Sequence, residues 1–114
     1  MQTVKPKKGL GQHFLRDLKI AQAIADTVDA RAGIPVLEIG PGMGVLTQYI
    51  IPKKRTFKVV ELDNESVVYL KEHYPTLDII EGDFLKLNLR SLFDGNEFVL
   101  TGNYPYNISS QIFF

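Results

Sequence analysis

Four short apolar runs recur along the chain, each closed by turn residues. Val36-Leu37-Glu38-Ile39, Phe57-Lys58-Val59-Val60-Glu61-Leu62, Leu77-Asp78-Ile79-Ile80-Glu81 and Glu97-Phe98-Val99-Leu100-Thr101-Gly102 have the length and β-branched content of strands. The first is almost unbroken, the pattern of a strand buried on both faces. Between the runs the spacing turns helical. Leu18, Ala21, Ala25 and Val28 fall at helical intervals behind Asp17, a good cap, and Gly33 and Pro35 close that segment. Val45 to Ile51 is compatible with a helix that Pro52 stops or kinks. Val67, Val68, Leu70 and Lys71 predict a helix capped by Asp63 or Asn64 and ended before Pro75. A loop or short helix is expected from Leu87 to Phe93, then a turn at Asp94-Gly95-Asn96. A last helix is expected to start at Asn107 or Ser109 and run through Phe114. Strands alternating with helices predict an α/β fold with a parallel sheet and right-handed crossovers.

At 114 residues the chain fits one compact domain. Thirteen Lys plus Arg balance thirteen Asp plus Glu, so attraction to nucleic acid or anionic lipid must come from a local patch. Lys5, Lys7, Lys8, Arg16 and Lys19 make one such segment, read either as a holder of phosphates or as a solvated tail. The absence of cysteine removes disulfides, thiolate nucleophiles and cysteine-ligated metal centres. His13 and His73 are too far apart in the pattern to make a metal site, and Ser109 and Ser110 have no histidine partner for a hydrolase triad. No stretch approaches the roughly 18 apolar residues of a membrane span, and no secretory signal opens the chain, so no membrane partner is expected and the cytosol is the default. Residues 1–15 read as a basic arm and 16–114 as the α/β body. Gln111-Ile112-Phe113-Phe114 is apolar and uncapped, which predicts that the chain is the N-terminal part of a longer one, truncated after its fourth strand.

The candidate chemistry lies where strands end. Gly40, Gly42 and Gly44 follow the first strand and precede a helix, at the carboxyl edge where doubly wound sheets bind ligands. Their spacing is not that of the dinucleotide fingerprint, and a plain tight turn is the competing reading. Glu61 ends the second strand 21 residues after Gly40, near the roughly 20-residue offset at which an acidic side chain accepts from ribose hydroxyls. A nucleoside ligand follows, NAD or S-adenosylmethionine. Glu38 is a charge inside a buried-looking strand: it braces the glycine loop by accepting backbone N–H bonds, reaches the ligand's amino group, or faces solvent. Asp83 follows the third strand, either as an acceptor for an adenine amine or as a helix cap.

Asn103-Tyr104-Pro105-Tyr106 is the most specific feature. An exocyclic amine is a poor nucleophile because its lone pair is delocalised into the ring. Acceptors aimed at its hydrogens favour pyramidalisation and stabilise the charge that develops as a methyl arrives. The Asn103 side-chain oxygen and the Tyr104 carbonyl suit that task, Pro105 fixes the local backbone, and Tyr106 offers a stacking ring.

Gly11-Gln12-His13-Phe14-Leu15, Glu38 to Thr47, Val60-Glu61-Leu62-Asp63, Gly82-Asp83 and Asn103 to Ser109 together resemble the ribosomal RNA adenine dimethyltransferase family, in order and spacing, from Lys8 to the last residue. The resemblance implies a Rossmann-like fold and S-adenosylmethionine as donor. It implies N6,N6-dimethylation of adenines, with small-subunit ribosomal RNA or its assembly particle as partner. It places His13 and Leu15 over the donor, Gly40 against its methionine moiety, Glu61 on the ribose and Asp83 on the adenine. Asn103 falls at the junction of donor and target amine, and Tyr106 matches the stacking residue. The family often has Asn at the position of His13 and an aliphatic residue at that of Tyr104. Three rivals are carried: the related large-subunit methyltransferases of macrolide resistance, an NAD-dependent oxidoreductase, and a non-catalytic ribosome-assembly factor.

Overall fold

Asp17 caps the first helix through its side chain, which accepts the Lys19 amide at 2.9 Å. The computed structural model describes residues 17–102 and the backbone of 112–113. Helix α1 spans Leu18–Asp26, and a 3-10 turn over Thr27–Arg31 continues it. Strand β1 is Val36–Ile39, β2 is Phe57–Glu61, β3 is Asp78–Glu81 and β4 is Val99–Gly102. Helix α2 is a single turn, Thr47–Ile50, passing into a 3-10 turn at Ile51–Lys53 that holds Pro52. Helix α3, Asn64–His73, takes Asp63 as its cap, with the Ser66 amide donating at 3.1 Å. After a 3-10 turn at Phe84–Lys86, helix α4 covers Leu89–Leu92. Asp94 and Gly95 both take positive φ in the turn before β4, and Asn96 N–H closes that turn on the Phe93 carbonyl.

The sheet order is β3-β2-β1-β4-β5, with β1 to β4 all parallel. Strand β5, Ile112–Phe113, is antiparallel to β4 and corrects the expected helix through Phe114. An Ile-Phe pair has strong β preference, and pairing it covers the backbone groups of a sheet edge.

Alternate residues of each strand feed opposite faces. Val36 and Val99 pack with Ala25, Val28 and Ile50 under α1 and α2. Leu37, Val60 and Leu100 pack with Phe93 and Phe98 on the other side. At the amino edge, the Arg55 guanidinium donates to the carbonyls of Val28, Arg31 and Ile34, satisfying groups that the 3-10 turn leaves over. No helix among the described residues is long and apolar enough to cross a membrane.

Candidate functional site

The chain order reverses between β1 and β4, which makes the carboxyl ends of those strands a topological switch point. The glycine loop leaves β1 there. Gly40 N–H donates to the Val60 carbonyl at 2.9 Å, extending the β1–β2 ladder one residue past the strand. Gly82 N–H donates to the Glu61 carbonyl at 2.9 Å and does the same for β3. The tips of three strands are thus level, and Gly40, Glu61 and Asp83 are brought to one edge.

Within the loop the glycines have different reasons. A Cβ on Gly42 would meet nothing within 4 Å, so the outer side of the loop is open. A Cβ on Gly44 would stand 2.8 Å from the Tyr74 ring, and its φ is +84°. On the paired strand β4, a Cβ on Gly102 would lie 2.3 Å from the Ile39 carbonyl oxygen, so only glycine lets β4 close on β1 at this point.

Glu61 is buried, and both of its oxygens face backbone amides. Gly42 N–H donates to Oε1 at 2.8 Å and Asp63 N–H to Oε2 at 3.0 Å. It is therefore Glu61, not Glu38, that braces the glycine loop. Each carboxylate oxygen accepts more than one hydrogen bond, so a ribose hydroxyl remains within its capacity.

Glu38 is 1% exposed, which corrects the solvent-facing reading. No backbone amide among the described residues donates to it; the Thr47 hydroxyl does, at 2.6 Å. The alternation of β1 turns Glu38 to the same face as Val36, under the start of α2. Burial pushes its carboxyl up from the ordinary 4.5 to about 8, against the pull of the Thr47 hydroxyl and with a further push from the Glu61 charge. Thr101 sits opposite Glu38 in the β1–β4 register, and its buried hydroxyl has no hydrogen-bond partner among the described residues.

Asp83 is the helix cap that the sequence left as one of two readings: its side chain accepts the Leu85 amide at 2.9 Å. Beside the two acidic tips stand two exposed apolar side chains, Leu62 at 68% and Leu85 at 86% exposure. The sequence reading passed over both, although an apolar residue just after an acidic strand end was a usable signal. Tyr74, thirty residues from Gly44, carried none. Burial raises its hydroxyl pKa, with the Tyr69 and Glu38 charges adding to the shift. His13, Leu15, Asn103, Tyr104 and Tyr106 lie outside the described residues. Among the described residues no group of His, Asp and Glu is placed to hold a metal ion.

A family model for ribosomal RNA adenine dimethylase matches residues 3–114. The chain belongs to the ribosomal RNA adenine dimethylase family. A ribosomal RNA small subunit methyltransferase A of Bacteroides fragilis is 70% identical over 116 aligned residues, covering 100% of this chain and 43% of that protein. The chain thus spans less than half the length of the curated relatives it matches. Among solved structures, the 23S rRNA methyltransferase ErmE aligns with a TM-score of 0.57 and 26% identity, over 78% of this chain and 47% of its own. The glycopeptide N-methyltransferase MtfA in complex with S-adenosylmethionine aligns at 0.54 with 18% identity, over 70% of this chain and 53% of its own. The Rossmann-like methyltransferase fold expected from the sequence is the one observed. In this dimethylase-family chain, Gly40, Glu61 and Asp83 all follow or end strands at the carboxyl edge of the sheet.

Proposed function

We propose that the protein transfers methyl groups from S-adenosylmethionine to the N6 amine of adenines in small-subunit ribosomal RNA, and that it acts in the cytoplasm on the RNA or its assembly particle. The observation that carries the reading is the Glu61 carboxylate, fixed by two backbone amides at the tip of β2 beside an open glycine loop. That is where a nucleoside's ribose binds in this topology. When bound, the donor supplies an electrophilic methyl group on a sulfonium.

The chain's own residues divide the remaining work. Gly40, Gly42 and Gly44 allow close approach of the backbone to the amino-acid part of the donor. Glu61 accepts from the ribose, and Asp83 from the adenine amine while it also caps its helix. Leu62 and Leu85 offer apolar surface to the adenine faces. His13 and Leu15, on the basic arm, lie over the donor in this reading. The Asn103 side-chain oxygen and the Tyr104 carbonyl accept from the target amine as its nitrogen pyramidalises. Tyr106 stacks on the extruded base, worth about 1–3 kcal/mol. Held reactants and aimed acceptors account for the rate by orientation and electrostatics.

The names of the relatives favour the small subunit over the large, and the Gly44-Val45-Leu46-Thr47 stretch leans the same way. The test is methyl incorporation into small ribosomal particles by the intact protein and by its Asn103→Ala variant. A fall in kcat of about a hundredfold or more supports the acceptor role. Unchanged methylation by the variant overturns that role, and absence of incorporation by the intact protein leaves a non-catalytic assembly factor as the better reading. A thermal-shift comparison in which NAD stabilises and S-adenosylmethionine does not would overturn the donor assignment.

A further inference from the structure

The loop between β1 and α2 is soft by composition. Gly40, Gly42 and Gly44 all take positive φ, between +57° and +84°. Glycine gives up more backbone freedom on ordering than any other residue, so a loop built on three of them keeps one shape only if something holds it. Helix α2 is a single turn and does not do so alone. Two contacts from the β2–α3 unit supply the hold. The Glu61 carboxylate accepts from Gly42 N–H at 2.8 Å. The Tyr74 ring lies where a side chain on Gly44 would point: a Cβ there would stand 2.8 Å from Cε2 and 3.3 Å from the hydroxyl oxygen. Gly44 is the hinge of the loop. Its amide donates to the Pro41 carbonyl at 2.8 Å and closes the turn, and its carbonyl accepts from Gln48 N–H at 3.0 Å as α2 begins. Tyr74 is itself fixed. Its amide donates to the Leu70 carbonyl at 2.8 Å and its carbonyl accepts from Leu77 N–H at 3.0 Å. The buried Leu70 side chain backs the same spot, 3.4 Å from the Cβ position of Gly44. The ring is half-buried, and no step of the proposed transfer uses it.

We infer that Tyr74 is a positioning residue for the donor: its ring backs Gly44 and keeps the glycine loop in the shape that receives the amino-acid end of S-adenosylmethionine, without touching the donor itself. The inference rests on the donor assignment above and deepens it. Without the ring, the space beside Gly44 opens and the turn and the start of α2 sample other shapes. Donor binding then bears an ordering cost that the ring had removed beforehand. A loop competent in one molecule out of about ten weakens apparent affinity about tenfold. The ribose and adenine contacts are spared, since Glu61 keeps the Asp63 amide at 3.0 Å and Asp83 keeps its own cap.

The test is calorimetric titration of the intact protein with two probes, S-adenosylhomocysteine and methylthioadenosine. Both carry ribose, adenine and a neutral sulfur, and only the first carries the amino-acid end. Tyr74→Ala is expected to weaken the first about tenfold and the second less than about twofold. Tyr74→Phe keeps the ring edge over Gly44 and is expected to bind both as wild type does. Tyr74→Leu fills apolar volume but stops short of Gly44, and is expected to show the same split at about threefold; it serves where the alanine variant does not fold. In methyl transfer to small ribosomal particles, the donor KM of Tyr74→Ala is expected to rise while kcat at saturating donor stays within about twofold, a split that mere loss of folded protein would not give. Glu61→Ala provides the contrast and should weaken both probes alike. Equal losses for the two probes in Tyr74→Ala, or no loss for either, overturn this inference and leave the donor assignment standing. Wild-type protein that binds neither probe overturns both.

Discussion

The Gly42 amide donates to the Glu61 carboxylate at 2.8 Å, so the tip of β2 holds the loop that leaves β1. One side chain thereby shapes the loop and, in the proposed reading, accepts from the ligand's ribose. Glu61→Ala frees two half-buried amides at once and should cost about 1–3 kcal/mol of stability as well as most of the donor affinity. Urea unfolding and donor titration on the same variant check both. A variant that loses stability and still binds the donor as wild type would separate the two roles.

Substitution of the loop and edge glycines should follow a graded order. Gly42→Ala meets open space and bears only the left-handed backbone penalty, about 1 kcal/mol. Gly44→Ala adds a clash with the Tyr74 ring and should cost more. Removing that ring in Gly44→Ala/Tyr74→Ala should recover the clash energy alone, which a double-mutant cycle reads as coupling. Gly102→Ala meets backbone, which no side chain can relieve, and should be the worst of the three.

Glu38 makes the free protein's stability depend on pH. Its folded pKa, about 8, lies above the ordinary 4.5, so the folded state holds the proton more tightly than the unfolded chain. The contribution of this one group to stability should be full below about pH 4.5 and be lost as pH rises to about 8, with a slope of up to about 1.4 kcal/mol per pH unit. Glu38→Gln should remove that slope, matching wild type near pH 5 and exceeding it at pH 8. Thermal melts of both proteins across that range check the sign.

Arg55 provides the contrasting control. Its guanidinium serves three carbonyls at the amino edge, away from Glu61. Arg55→Met should cost about 2–4 kcal/mol, because charge-assisted bonds to those carbonyls are lost, with donor affinity per folded molecule unchanged. Chemical unfolding and donor titration together make the comparison.

The strands were legible because continuous apolar runs bounded by glycine and proline have few alternatives. Asp17 and Asp63 were legible as caps because capping is local. What escaped was non-local or balanced. Glu38 left three readings open because strand alternation alone does not say which face is covered, and only the packing of α2 buries it. The Tyr74 ring over Gly44 joins positions thirty residues apart and leaves no periodic trace. Ile112–Phe113 was read as helix because its apolar run suits either element, and the edge of β4 decides for a strand. Asp83 was legible as a pair of roles, of which the structure displays the cap.

The central claim is that the carboxyl edge of β1, β2 and β3 receives a sulfonium nucleoside. A crystal structure of the intact protein with S-adenosylmethionine tests it directly. The account predicts the ribose hydroxyls within hydrogen-bond distance of Glu61, the adenine amine at Asp83 and the amino-acid end over Gly40 to Gly44. A ligand bound elsewhere, with Glu61 occupied only by Gly42 and Asp63, would contradict it.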